Sequence, residues 1–268
     1  MSFNSKKQGR PLAYIINTKN SKLGTIYLND KDLSGDTEIK NSDEFKVGLL
    51  PNCNERDVLY IAGASGSGKT TMANAFIEEY LEMFPDRSVH IYSSVANYDR
   101  SLKSADNPSV EIHDINELVG EEQEVEDAKG KIKTILASPW DEPAYILEQL
   151  NNSLVLFDDV FNLDKSILDR ILFILRTLLE TGRHSNTSVI ITSHILLDGN
   201  RTKMFINEAT AVVFFPRSNK SQAMGYLRRY AGMDEQSARE IVNLKSRWVI
   251  YMKCYPNCII YENGTFLI

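Results

Sequence analysis

The chain is poor in cysteine, with three in 268 residues: Cys53, Cys254 and Cys258. So few thiols, so unevenly spaced, exclude a disulfide framework. Cys254 and Cys258 stand close together, but no second Cys/His pair follows at zinc spacing, so they read as structural thiols. No apolar run reaches the length of about 18 residues that a membrane-spanning helix needs, and none is expected. The opening residues, Met1-Ser2-Phe3-Asn4-Ser5-Lys6-Lys7, lack the apolar stretch of a signal peptide, and an intracellular protein is expected. Overall positive charge is missing too. The formal net charge of −6 argues against general affinity for nucleic acid.

That charge is unevenly distributed. From Arg183 onward the chain carries 11 Lys/Arg against 6 Asp/Glu, leaving 19 against 30 in the first 182 residues. A basic second half permits a local polyanion surface. The apolar share of 43% and charged share of 25% are those of an ordinary globular protein, and the length suits one large domain with at most a small appendage.

Residues 12–16 and 24–28 are short strand-like runs, followed by a polar linker over residues 30–43. Residues 1–54 are therefore expected to form a small β element and linker ahead of a core at residues 55–268. In that core strand-like and helix-like segments alternate, which predicts an α/β fold with a mostly parallel sheet covered on both faces. Residues 107–130 are acidic and predict a solvated insertion or loose helix. Residues 168–179 carry Ile171, Leu172, Leu175, Leu178 and Leu179 at helical spacing. Residues 248–252 and 258–261, separated by a Pro-Asn turn, predict a closing hairpin.

The densest signal is Gly63-Ala64-Ser65-Gly66-Ser67-Gly68-Lys69-Thr70, which fits the phosphate-binding loop G-x-x-x-x-G-K-[ST]. The apolar run at residues 58–62 reads as the strand feeding it, and residues 71–83 as the helix leaving it. Glycines let successive backbone N–H groups face one anion, and the helix N-terminus adds partial positive charge. Lys69 would hold the β and γ phosphates of ATP, Thr70 would ligate Mg²⁺, and Thr71 would extend the cradle.

Leu154-Val155-Leu156-Phe157-Asp158-Asp159 has the form of a Walker B strand, four apolar residues delivering two acids at its end. Asp158 would hold the Mg²⁺ shell, and Asp159 would orient or deprotonate the attacking water. Farther on, the strand 189–191 ends in Thr192-Ser193-His194, placing His194 as a candidate γ-phosphate sensor.

Taken together, the P-loop, the segment "LVLFDDV" and "TGRHSNTSVIITSH" resemble the poxvirus-type genome-packaging ATPases of large nucleocytoplasmic DNA viruses and virophages, within the FtsK/HerA class. Residues 91–99 also resemble the family's segment after its second core strand. The likeness spans residues 57–230. The family usually has Gln where His194 stands. The resemblance implies an ATP- and Mg²⁺-dependent motor that moves double-stranded DNA, without regard to sequence, into a preformed capsid. It implies a homo-oligomeric ring, a capsid or portal-vertex partner, action in the host cytoplasm at the virus factory or on the virion, and an arginine supplied across the subunit boundary. Arg201 and Arg183 are the candidates, Arg201 ranked ahead. Lys220, Arg228, Arg229, Lys245 and Arg247 are candidate DNA contacts.

Other readings of the same motifs are a helicase or AAA+ type ATPase, a small-molecule kinase, and a nucleotide-dependent assembly switch. An AAA+ protein would usually follow the core with a helical lid, where this chain predicts a hairpin. A kinase would need an arginine-rich lid, and none is evident. A switch has no need of the second acid.

Overall fold

The computed structural model describes residues 3–4, 10–16, 22–28, 37–40, 48–49, 51–52, 55–94, 107–126, 130–253 and 257–268. Cys53, Cys254 and residues 95–99 of the family-like segment lie outside these.

The strands are β1 (Phe3–Asn4), β2 (Arg10–Ile16), β3 (Lys22–Leu28), β4 (Thr37–Lys40), β5 (Val58–Ala62), β6 (Val89–Ser93), β7 (Val110–Asp114), β8 (Glu121–Glu126), β9 (Ile132–Ala137), β10 (Leu154–Phe157), β11 (Ser188–Ser193), β12 (Ala211–Phe214), β13 (Val249–Met252), β14 (Cys258–Tyr261) and β15 (Gly264–Leu267). The helices are α1 (Lys69–Met83), α2 (Pro143–Gln149), α3 (Lys165–Thr181), α4 (Gly199–Glu208), α5 (Lys220–Arg229) and α6 (Glu235–Val242).

One ten-stranded sheet runs β4-β15-β14-β13-β12-β5-β11-β10-β6-β7. From β12 to β7 every neighbouring pair is parallel. From β12 to β4 every pair is antiparallel. The expected α/β fold is therefore present, and the closing hairpin is the first turn of a three-stranded meander. Strands β5, β10, β11 and β12 are buried along their whole length. This explains their near-continuous Val/Ile/Leu/Phe content, because a parallel strand covered on both faces has no polar side.

Alternation still assigns each residue to a layer. Tyr60, Val155, Phe157, Val189, Ile191, Val212 and Phe214 join one core with α3 to α6. Leu59, Ile61, Leu154, Leu156, Ile190 and Val213 join the other, against Ala73, Phe76, Ile77 and Tyr80 of α1. On α3, Ile171, Ile174, Leu175, Leu178 and Leu179 are buried, and Leu172 packs partly buried against them.

Two expectations differ from the structure. The described residues of 107–130 are no loose insertion: Val110–Asp114 is the sheet's outermost parallel strand, and β8 pairs antiparallel with β9. Alternating Val110 and Ile112 carried that strand signal beneath the acidic composition. Thr37–Lys40, inside the expected polar linker, is a strand paired with β15. Part of the N-terminal segment thus extends the core sheet. Ahead of it, β1, β3 and β2 form a separate antiparallel sheet, as the two strand-like runs implied.

Candidate active site

Parallel strands deliver their C-terminal ends to one edge, and the strand order decides which ends meet. Here β11 lies between β5, which feeds the P-loop, and β10, which ends in the two acids. Thr192, Ser193 and His194 are therefore carried between the phosphate loop and the carboxylates.

The loop is held in place by its neighbours. Gly63 N donates to Ser193 O at 2.9 Å, and Ser67 N donates to Ala64 O at 3.1 Å. Gly63 has no room for a side chain: a Cβ there would lie 2.4 Å from the Phe215 ring. Gly68 has φ 114, a left-handed conformation that favours glycine. It opens α1, whose first turn receives no side-chain cap. The leading N–H groups of that helix, at Lys69, Thr70 and Thr71, remain for an anion. The Ser67 hydroxyl is buried and makes no hydrogen bond among the described residues. An uncapped helix N-terminus beside an orphaned hydroxyl and a buried lysine fits a phosphate group. Ala64, Ser65 and Gly66 are exposed at the loop's tip.

Lys69 is only 7% exposed. Its ammonium donates to Gly63 O at 3.1 Å and to His194 Nδ1 at 3.3 Å, and lies 3.5 Å from Asp159 Oδ1. His194 Nε2 lies 3.0 Å from Asp159 Oδ2. A lysine ammonium only donates, so His194 Nδ1 accepts and the ring carries its proton on Nε2, facing Asp159. Asp159 itself has φ 47, a strained conformation for a residue with a side chain. Its N–H is fixed by Thr192 Oγ1 at 2.8 Å.

The same Thr192 hydroxyl donates to Asp158 Oδ1 at 2.6 Å, and Ser93 Oγ, at the end of β6, donates to Asp158 Oδ2 at 3.3 Å. The two hydroxyls orient the two carboxylate oxygens. That hard oxygen set, with the Thr70 hydroxyl, fits Mg²⁺ and its bound waters. Thr192 and Ser93 received no role from the sequence. Their signal was positional: each lies at or one residue before the end of a strand that neighbours β10.

The arginine candidates separate. Arg201 sits in the first turn of α4, shortly after His194 and at the same sheet edge. It is 67% exposed and pairs with Asp198 at 3.5 Å. Arg183 lies before β11, at the opposite edge, a strand length of about 20 Å from the phosphate loop. The surrounding turn is structural. Thr187 Oγ1 donates to Leu150 O at 2.7 Å, Asn186 Nδ2 donates to Asn152 Oδ1 at 2.8 Å, and Arg56 caps the carbonyls of Leu178 and Leu179. Of the basic residues expected to face DNA, Lys220 donates to Asn243, Arg228 pairs with Glu235 and Arg229 folds back to Gly225 O. Arg247 contacts the P-loop backbone.

No family model matches the chain. It is 33% identical over 265 residues to uncharacterized protein V3 of Sputnik virophage, covering 97% of this chain and 96% of that protein. The chain belongs to the virophage V3 family. Virophages were among the viruses named by the motif resemblance, so the sequence relative and the motifs agree. Among solved structures, the genome packaging NTPase B204 from Sulfolobus turreted icosahedral virus 2 with ATP-gammaS is similar at TM-score 0.48 and 14% identity, over 78% of this chain and 97% of that one. The pCW3 conjugation coupling protein TcpA with ATPgS is similar at TM-score 0.48 and 11% identity, over 100% and 87%. At such scores the likeness is loose, and the chemistry of this V3-family chain rests on its own residues. No described helix is long and apolar enough to cross a membrane.

Proposed function

We propose that the chain is an ATP hydrolase that drives double-stranded DNA into a preformed virophage capsid. The observation that carries the hydrolase reading is the closed triangle of Lys69, Asp159 and His194 at the mouth of the P-loop. An incoming γ-phosphate competes with Asp159 for the Lys69 ammonium. Released from Lys69, Asp159 keeps its Oδ2 on His194 Nε2–H and presents Oδ1, which has no hydrogen-bond donor among the described residues. A water aligned by Oδ1 attacks the γ-phosphorus, its proton passes to Oδ1, and the bond to the ADP oxygen breaks, leaving ADP and phosphate. Thr70 and Asp158 would hold Mg²⁺, which neutralises charge on the phosphates.

The motor reading rests on the motif resemblance and the virophage relative. It entails a homo-oligomeric ring, with Arg201 entering a neighbour's site and phosphate contacts gripping DNA regardless of sequence. A capsid or portal-vertex partner and a place in the host cytoplasm at the virus factory, or on the virion, follow from the same reading. Residues 55–268 would be the ATPase unit and residues 1–54 an appended β element, tied to it through β4.

The test is ATP turnover with and without duplex DNA, in wild type and Lys69→Ala. Turnover stimulated by DNA and abolished in the variant is expected. Turnover that survives Lys69→Ala removes the site. Binding without turnover favours an assembly switch, and turnover indifferent to DNA removes the translocase.

A further inference from the structure

A second cluster of ligating side chains lies at the outer edge of the sheet. Strands β6 and β7 are parallel, with His90 opposite Glu111 and Tyr92 opposite His113. His90, Glu111 and His113 therefore leave the same face of two neighbouring strands. One ligand atom from each lies within 4.8 Å of the other two. Glu111 Oε2 is 3.3 Å from His90 Nδ1 and 3.4 Å from His113 Nε2.

Those two separations match a metal tetrahedron. Ligands bound about 2.0–2.2 Å from zinc stand about 3.3–3.6 Å apart. The nitrogens that point away from the cluster are also held. His90 Nε2 is 3.1 Å from Ser88 Oγ, and His113 Nδ1 is 3.4 Å from Glu117 Oε2. Glu117 is itself fixed, because its Oε1 accepts the Asp114 N–H at 3.3 Å. Tyr92 stacks on the His113 ring at 4.9 Å between centroids. A second carboxylate on the far nitrogen is the usual support for a metal-bound imidazole, fixing its tautomer and orientation. His113 Nε2 is buried and makes no hydrogen bond among the described residues, despite its nearness to Glu111. A buried ring nitrogen 3.4 Å from a carboxylate oxygen without bonding to it suits an ion bound to both atoms from off the line joining them.

We propose that His90, Glu111 and His113 form a site for a divalent transition metal of the zinc type, with a fourth position open to water beside the exposed Glu111. Two imidazoles and one carboxylate select such a metal over Mg²⁺, so the site is chemically separate from the one at Thr70 and Asp158. Its consequence is mechanical. The ion clips the sheet's last strand, β7, to β6, the strand whose Ser93 reaches Asp158.

The experiment is a Co²⁺ titration of the nucleotide-free full chain, followed by visible absorption, with Zn²⁺ used as competitor. One equivalent with the visible bands of tetrahedral cobalt is expected, bleached by Zn²⁺. Glu111→Gln and His113→Gln should each weaken binding at least tenfold, while Asp158→Asn should not. Zn²⁺ should also raise the melting temperature of wild type and not of Glu111→Gln, an exposed change that tests the site even if His113→Gln fails to fold. Four outcomes overturn the site: no uptake, a signal unchanged in Glu111→Gln, loss of the signal in Asp158→Asn, or near-ultraviolet charge transfer showing cysteine thiolates as ligands. Any of these leaves a histidine–glutamate hydrogen-bonding cluster only.

Discussion

Arg247 Nε donates to Ser67 O at 3.1 Å, joining residues 180 positions apart. Its Nη2 reaches Gly66 O at 3.3 Å, and its backbone N–H donates to Glu262 Oε2 at 2.8 Å. Arg247, two residues ahead of β13, thus braces two carbonyls of the loop at residues 63–70. Arg247→Ala should weaken ATP binding by about fivefold, the worth of roughly 1 kcal/mol for hydrogen bonds at an exposed site. Fluorescent-nucleotide titration checks this. Unchanged nucleotide affinity with weakened DNA binding would instead return Arg247 to the DNA-facing set in which its charge alone had placed it.

Thr192 joins the two acids through one hydroxyl, donating to Asp158 and accepting from Asp159 N–H. Thr192→Val keeps the shape and removes both bonds. Losing both bonds at a buried site should destabilise the protein by about 1–3 kcal/mol in chemical denaturation. Turnover should fall by about tenfold or more while ATP affinity changes little, because the strained Asp159 loses its anchor. Thr192→Ser should recover most of both losses. A valine variant with full turnover would separate this hydroxyl from catalysis.

His194 supplies an N–H to Asp159 and an acceptor to Lys69. Glutamine offers both through its amide, and it is the residue usual in the packaging family that the motifs resemble. His194→Gln should keep turnover within about fivefold, whereas His194→Ala should lose about 10²-fold, the scale of a removed group that positions a general base. Single-turnover kinetics at saturating ATP distinguishes them. Equal loss in both would assign His194 an imidazole-specific task.

The placement of the loop at residues 63–70 and of Asp158 and Asp159 was legible because their signals are local: a few consecutive residues define a turn, a charge and a strand end. The partners that arrange them were not. Ser93, Thr192 and Arg247 reach the site through sheet register and strand order, which no short window contains. Residues 182–188 belong to the family-like run yet form a corner at the far edge, so membership of a motif and nearness to the candidate site are separate properties. Helix α4 passed unread because Asn200, Arg201, Thr202 and Lys203 give its first turns no continuous apolar stripe, although Phe205 and Ile206 are buried. Strand β7 was hidden by the acids around it.

Asp57 stands at the start of β5, where burial pushes its carboxyl up from 3.8 to about 7, with Glu55 adding to the rise and the Asn52 N–H, at 2.7 Å, opposing it. The folded state therefore holds this proton more tightly than the unfolded chain. The stabilisation is complete below about pH 4 and is lost as pH rises towards 7. The difference of roughly three pKa units sets a loss of about 2–4 kcal/mol across that window. Asp57→Asn accepts the Asn52 N–H through its carbonyl and does not ionise. Denaturant melts at pH 5 and pH 8 should show the variant gaining stability over wild type at the higher pH. A pH slope identical in both would place the Asp57 pKa near that of an exposed carboxylate.

In the proposed ring, Arg201 is the arginine that would enter a neighbour's site. It is 67% exposed on α4, at the same sheet edge as His194, and its recorded ion pair is the exposed one with Asp198. Such pairs contribute little and release the arginine readily. Arg201→Ala should therefore reduce turnover by about 10³-fold or more while leaving nucleotide binding intact, the scale on which an arginine finger acts. Mixing Arg201→Ala subunits with Asp159→Asn subunits decides whether the arginine works across a boundary. In a mixed ring, some sites pair an intact Asp159 with a neighbour's intact Arg201, and partial turnover returns. An arginine acting within its own subunit gives no rescue, because every subunit then carries one defect in its own site. The same mixture made with Arg183→Ala tests the far edge: rescue there and not with Arg201→Ala would mean that the ring packs that edge against its neighbour's phosphate loop.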